Sequence, residues 1–387
     1  MADKLTGSGL DRLHAAAERH IGDDGVPGLV ALAASGDQVH VEALGQMSFG
    51  GPPMARDSLF RIASTTKPVT GAATLALADE GLVGLDEPVD MLLPELANRS
   101  VLRRMDGPLD DTVPASRPVT PRDLLTFTFG FGACLDMFMA AEPWPIMTAV
   151  DELSLATLGP PDPAVQPEPD TWIAGLGSLP LMAQPGERWL YNTGASVLGV
   201  LLARAAGQPF GDVLRTRIFE PLGMASTSFW TADTRRLVPS YWPGRDGLVV
   251  WDTPDGRWSR PPAFGDGAAG LLSTADDLLA FGRMLLHDGD GVLPAGAAVA
   301  MRTDQLTPAQ KARGGLGADF FAGQSWSFCQ AVHDDGSFGW DGGLGCSWLV
   351  DPARDLIVIT LTPRVFESSA LPAVHADIRA AAYAALA

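Results

Sequence analysis

The sequence predicts an α+β fold: an antiparallel sheet built from both ends of the chain, flanked by N- and C-terminal helices, with a helical segment between. Three observations carry this expectation. Short apolar runs separated by tight turns occur near both ends of the 387-residue chain, and such runs read as strands that pair antiparallel. The middle holds apolar residues at helical spacing instead. The length suits two domains better than one. The expected division is a discontinuous sheet domain, 1–84 with 300–387, and a mainly helical domain, 85–299.

Taken in order, "GLDRLHAAAERHI" has the apolar spacing of an amphipathic helix. "GLVALAAS" and "QVHVEALGQMSF" follow as two strands around a Gly-Asp turn, a hairpin signal. "DSLFRIAS" runs into the helix "TTKPVTGAATLALADEGL", where Pro68 sits in the first turn and has no hydrogen bond to lose. "VTPRDLLTFTFG", "ASVLGVLLARAAG" and "FGDVLRTRIFEPLG" are helical pieces of the middle, and "GPPDPAVQPEPDTW" is its most flexible loop. "STADDLLAFGRMLLHDG" opens on Ser/Thr and acids and ends in Gly, the marks of a capped helix. Strands return in "SWSFCQAV", "FGWDGG", "LGCSWLVD" and "LIVITLTP", and "AVHADIRAAAYAALA" closes the chain as a helix.

Composition excludes several functions. A net charge of −19 repels nucleic acid and anionic membrane surfaces. Three cysteines, Cys134, Cys329 and Cys346, form no cluster and read as free buried thiols of a reducing compartment. Six histidines show no paired ligand spacing, so no metal is expected, and no organic cofactor is implied. The first 20 residues carry charges where a signal peptide has its apolar run. No apolar run is long enough for a membrane span. The expectation is a soluble cytoplasmic protein without nucleic-acid or membrane partners. The sequence carries no signal for an oligomeric state.

The chain has 27 basic residues, of which only Lys4, Lys67 and Lys311 are lysines. Lys67 stands three residues after Ser64, at the mouth of a predicted helix. Residues i and i+3 share a helix face, so the ammonium and the hydroxyl can meet. A lysine, unlike an arginine, loses its proton when desolvated and can then activate a serine. The helix N-terminus adds free N–H groups and a positive dipole end.

The segment "LFRIASTTKPVTGAATLALADEGLVGLDEPV" resembles the nucleophile region of serine hydrolases related to class C β-lactamases and penicillin-binding proteins. The likeness continues through "VTPRDLLTFTFGFG", "QPGERWLYNTGASVLGVLLARAAGQPFGDVLRTRIFEPLGM", "GAAGLLSTADDLLAFGRMLL" and "FGWDGGLGCSWLVDP". It is most similar to the family VIII carboxylesterase type. The resemblance implies a β-lactamase/transpeptidase-like fold and a serine carboxylesterase forming an acyl-enzyme on Ser64. Acyl transfer on the same scaffold and a weak β-lactamase or amidase activity are the alternatives, and a non-catalytic ligand-binding member is a fourth. The implied substrate is a small-molecule ester or acyl compound.

The family's Tyr-x-Asn motif falls on "PGERWLYNT", with Tyr191 at the tyrosine position and Thr193 where Asn would be. A phenolate at Tyr191, favoured by Lys67, would take the Ser64 proton. The third motif, a Lys-Thr-Gly or His-x-Gly strand, falls on Trp340-Asp341-Gly342, followed by Gly343. The amides of Ser64 and Gly343 would form the oxyanion hole. Trp340 cannot bind the carboxylate of a β-lactam and Asp341 would repel it, so both point to neutral esters. Trp340 is expected as an apolar wall, and Phe131 as another. His333 lies in a polar turn, and no Ser-His-Asp arrangement is implied.

Overall fold

A computed structural model describes residues 4–387 other than 24, 246 and 318. Thr6 caps α1 (Gly7–Glu18) by accepting from the Gly9 N–H. β1 (Gly28–Ser35) and β2 (Gln38–Gly45) form the expected hairpin, with Gly36 at φ +56° in its turn. α2 (Thr66–Asp79) follows a single tight turn at Ala63–Thr65 and is buried from Thr66 to Leu77. α3 (Thr193–Ala206) is likewise a core helix and ends on Gly207 at φ +64°. α4 (Ala275–Leu286) is capped by Thr274, whose side chain accepts from the Asp277 N–H.

Five strands complete the sheet: β3 (Gln324–Trp326), β4 (Ala331–His333), β5 (Phe338–Gly339), β6 (Cys346–Asp351) and β7 (Leu356–Leu361). α5 (Ala373–Tyr383) ends the chain. The seven strands run in the order β2-β1-β7-β6-β5-β4-β3, with every neighbouring pair antiparallel. The N-terminal hairpin thus pairs with the last strand, Val30 opposite Leu361 and Ser35 opposite Leu356.

Both faces of β1 are covered, which explains its unbroken apolar run. Leu29, Ala31 and Ala33 pack with Leu13 and Ala17 of α1 and with Val374 and Ile378 of α5. Val30, Leu32 and Ala34 face the main core, which includes Phe281 of α4 and Val69 of α2.

The fold departs from the expectations at three points. The boundary at 299 puts α4 with the helical segment, yet α4 packs on the sheet. The Trp348 indole N–H donates to Leu278 O at 3.2 Å, and Phe281 meets Trp348 ring to ring at 5.6 Å. We propose that the sheet domain includes α4, the rest of the two-part division standing as drawn. The run "SWSFCQAV" is two strands, because a turn closed by Ser327 N–H to Gln330 O reverses the chain with Cys329 at φ +63°. The loop expected to be flexible is pinned at Gln166, whose buried amide donates to Leu155 O at 3.2 Å.

Candidate active site

The turn that carries Ser64 is strained and tightly held. Ala63, immediately before Ser64, has φ +43°, a left-handed conformation that side chains disfavour. Phe60–Arg61 pairs with Leu272–Ser273, which brings the turn at Gly267–Ala268 against the start of α2. Thr65 Oγ1 donates to Trp340 O at 3.2 Å and so ties the turn to the strand segment beyond β5. Gly342 lies so close to the turn that an added Cβ would stand 2.1 Å from Ile62 O.

Three side chains converge on one hydroxyl. Lys67 Nζ is 2.9 Å from Ser64 Oγ, and the Tyr191 hydroxyl donates to the same oxygen at 2.9 Å. Lys67 also donates to Ala268 O at 2.8 Å and lies 4.6 Å from the centre of the Tyr191 ring. Its side chain has no exposed surface. Burial pushes the Lys67 pKa down to about 7, opposed by the negative charge of Asp266 and by Cys329.

Tyr191 is set by backbone pairing with Ala133 on one side. On the other, Asn192 takes φ +83°, closing a three-residue turn from Thr193 N–H to Tyr191 O at 3.2 Å. Burial raises the Tyr191 pKa, and this outweighs the lowering by its hydrogen bonds to Ser64 and Trp340. Burial thus works against a phenolate at Tyr191 and toward a neutral amine at Lys67.

Trp340, expected as an apolar wall, is also a hydrogen-bond donor. Its indole N–H donates to Tyr191 Oη at 2.8 Å, while its ring packs edge-on against Trp326 and near Phe320. This hydrogen bond joins residues 149 positions apart, and nothing in the local sequence announces it. Gly343 adjoins open space: an added Cβ would meet no atom within 4 Å. Asp341 turns away to an ion pair with Arg379 of α5 at 3.1 Å, so its charge is partly neutralised. Phe131 is completely buried in the main core and is not a wall of the site. Thr193 is buried too, its hydroxyl accepting from Thr157 Oγ1 at 3.0 Å. The neighbouring Asn192 amide is spent on Thr157 O at 2.8 Å.

Asp266 and Ala268 were missed by sequence reasoning, although they lie in or beside "GAAGLLSTADD", one of the segments that carry the resemblance. His333 lies at the end of β4 with its pKa lowered chiefly by burial. His375 is buried on α5 beside Phe366.

The family model described as Beta-lactamase matches residues 13–382. Esterase EstB of Burkholderia gladioli is 32% identical over 411 residues, covering 96% of this chain and 95% of that protein. A solved structure described as EstCE1, a hydrolase with promiscuous acyltransferase activity, has a TM-score of 0.81 at 25% identity and covers 97% of this chain and 98% of its own. Simvastatin synthase LovD from Aspergillus terreus, as its LovD6 mutant, shares the fold with a TM-score of 0.78 at 23% identity, covering 99% of each chain. The chain belongs to the Beta-lactamase family, with an antiparallel sheet and helices in the transpeptidase-like arrangement.

Proposed function

We propose that the protein is a serine carboxylesterase that acts through an acyl-enzyme on Ser64. The observation that carries this reading is the convergence of Lys67 Nζ and Tyr191 Oη on Ser64 Oγ, each at 2.9 Å. Neutral Lys67 takes the Ser64 proton as Oγ attacks the ester carbonyl. The amides of Ser64 and Gly343 receive the oxyanion; no hydrogen bond among the described residues occupies either one. The Ser64–acyl bond forms, the bond to the alcohol oxygen breaks, and the proton leaves with the alcohol through the Tyr191 hydroxyl. Water repeats the sequence in reverse and frees the acid.

The walls support a substrate class. Trp340 stands where a cation would bind a β-lactam carboxylate, and half-buried Phe320 adds to its aromatic surface, with Trp326 buried behind it. A neutral ester with an apolar acyl group fits such walls. Acyl transfer to an alcohol other than water is the second reading, favoured by the likeness to a hydrolase with promiscuous acyltransferase activity. Among the described residues no single helix is long and apolar enough to cross a membrane. The three free, buried cysteines support a reducing, cytoplasmic setting.

A fluorophosphonate probe tests the reading. It should label the wild type on Ser64 and leave Ser64→Ala unlabelled, and p-nitrophenyl esters should turn over faster than nitrocefin. Wild-type protein that neither labels nor hydrolyses any ester is a binding module instead.

A further inference from the structure

We propose that Asp266 is a positioning residue: it fixes the carbonyl that holds Lys67 and supplies the negative charge that faces it. The inference rests on Lys67 serving Ser64 as base.

Asp266 is 3% exposed. Its Oδ1 accepts from Ser196 Oγ of α3 at 2.6 Å and from the Ala268 N–H at 2.9 Å. The second bond orients the Ala268 peptide turn whose carbonyl accepts from Lys67 Nζ at 2.8 Å. The same turn is clamped elsewhere. Thr70 Oγ1 of α2 donates to Gly267 O at 2.7 Å, and a Cβ on Gly267 would stand 2.5 Å from Ala195 O. Asp266 O accepts from the Gly270 N–H at 3.0 Å. The carboxylate is thus a cross-brace between the two core helices that carry Lys67 and follow Tyr191.

A buried carboxylate is costly unless a positive charge or several donors answer it. No cation forms an ion pair with Asp266 among the described residues, and Lys67 is the cation on which its charge acts. The groups facing Lys67 are Ser64 Oγ, Ala268 O, the Tyr191 ring, the buried Cys329 thiol and Asp266. Of these, Asp266 is the carboxylate, and it favours the protonated amine while burial disfavours it. Asp266 therefore keeps Lys67 basic enough to pull a proton from serine, yet still able to shed it near neutral pH.

The scarcity of lysine makes this measurable without catalysis. Protein labelled with 13C at the lysine ε-carbon has three signals, from Lys4, Lys67 and Lys311, and Lys67→Arg identifies one by its loss. Asp266→Asn preserves the acceptor for Ser196 and Ala268 but removes the charge. In that variant the Lys67 midpoint should fall by about one pH unit, and the acid limb of kcat/KM should move down with it. Plateau kcat should drop only several-fold. Asp266→Ala also releases the Ala268 turn, so kcat should fall about 10- to 100-fold with KM within about threefold. Should Asp266→Asn fail to fold, Asp266→Ser, uncharged but able to accept from the Ala268 N–H, carries the same expected midpoint shift.

An unmoved Lys67 midpoint in a folded, uncharged variant overturns the proposal, as does a loss of activity with no change in the pH profile. Wild type whose Ser64 is not labelled by a fluorophosphonate would sink the esterase reading, while the lysine titration would still decide the role of Asp266.

Discussion

At the scale of single residues, the proposed chemistry turns on Lys67, which is hydrogen-bonded to both Ser64 Oγ and Ala268 O. Its pKa of about 7 makes the neutral base scarce in acid and abundant above neutrality. The rate should accordingly rise through about pH 7, measured as kcat/KM against pH. Lys67→Arg keeps a cation at the site but stays protonated. It should lower kcat by about a thousandfold or more at every pH without abolishing the fold, as judged by turnover and circular dichroism. Trp340→Phe separates wall from donor. It keeps an apolar ring but deletes the N–H that reaches Tyr191 Oη. A drop of about tenfold in kcat with little change in KM is expected if the hydrogen bond tunes the proton donor. A rise in KM alone would mark Trp340 as a wall only.

At the scale of elements, the decisive contact is backbone against backbone. Gly342 presses on Ile62 O, and this approach sets the residue before Gly343 against a turn strained at Ala63. Gly342→Ala should push the two segments apart and cost about 100-fold or more in kcat, since misplacement by about an ångström is enough. Gly343→Ala should fold normally, because its Cβ points into open space, and should affect KM through the substrate. Comparing the melting temperatures and kinetics of the two variants checks both statements. Much of this architecture was legible in the sequence. The apolar runs of β1, β6 and β7 and the capped start of α4 carry strong local signals. The hairpin inside "SWSFCQAV" does not, because Cys329 adopts a left-handed turn without a glycine or proline to announce it. The triad of Ser64, Lys67 and Tyr191 came from motifs. The Trp340–Tyr191 bond and the Asp266 brace depend on residues 149 and 70 positions apart meeting in space, which periodicity cannot reveal. Phe131 was misread because an aromatic in a glycine-rich run looks alike whether it lines a cleft or fills a core.

At the scale of the whole molecule, the two chain ends close the structure together. Lys4 and Ala387 exchange backbone hydrogen bonds at 3.3 and 3.1 Å, and α5 joins α1 over one face of the sheet. From α5, Arg379 reaches Asp341, the residue after Trp340, so this layer touches the site as well as the core. It also carries a pH liability. His375 of α5 is 1% exposed, and burial, with Arg379 and His20 adding to it, outweighs Asp341 and lowers its pKa from 6.5 to about 4. The folded protein therefore holds His375 neutral where the unfolded chain would bind a proton. The stability this residue contributes is complete above pH 6.5 and is lost as pH falls from there to about 4, by roughly 3 kcal/mol in total. His375→Leu fills similar space without titrating. Urea unfolding at pH 7.5 and 4.5 should show the wild type losing more stability than the variant, by about 2 kcal/mol or more. Carboxylates held at low pKa destabilise both proteins alike on acidification, so the difference isolates the imidazole. Equal losses in the two proteins would mean that burial does not lower the His375 pKa in the folded chain, so that α5 carries no such acid liability.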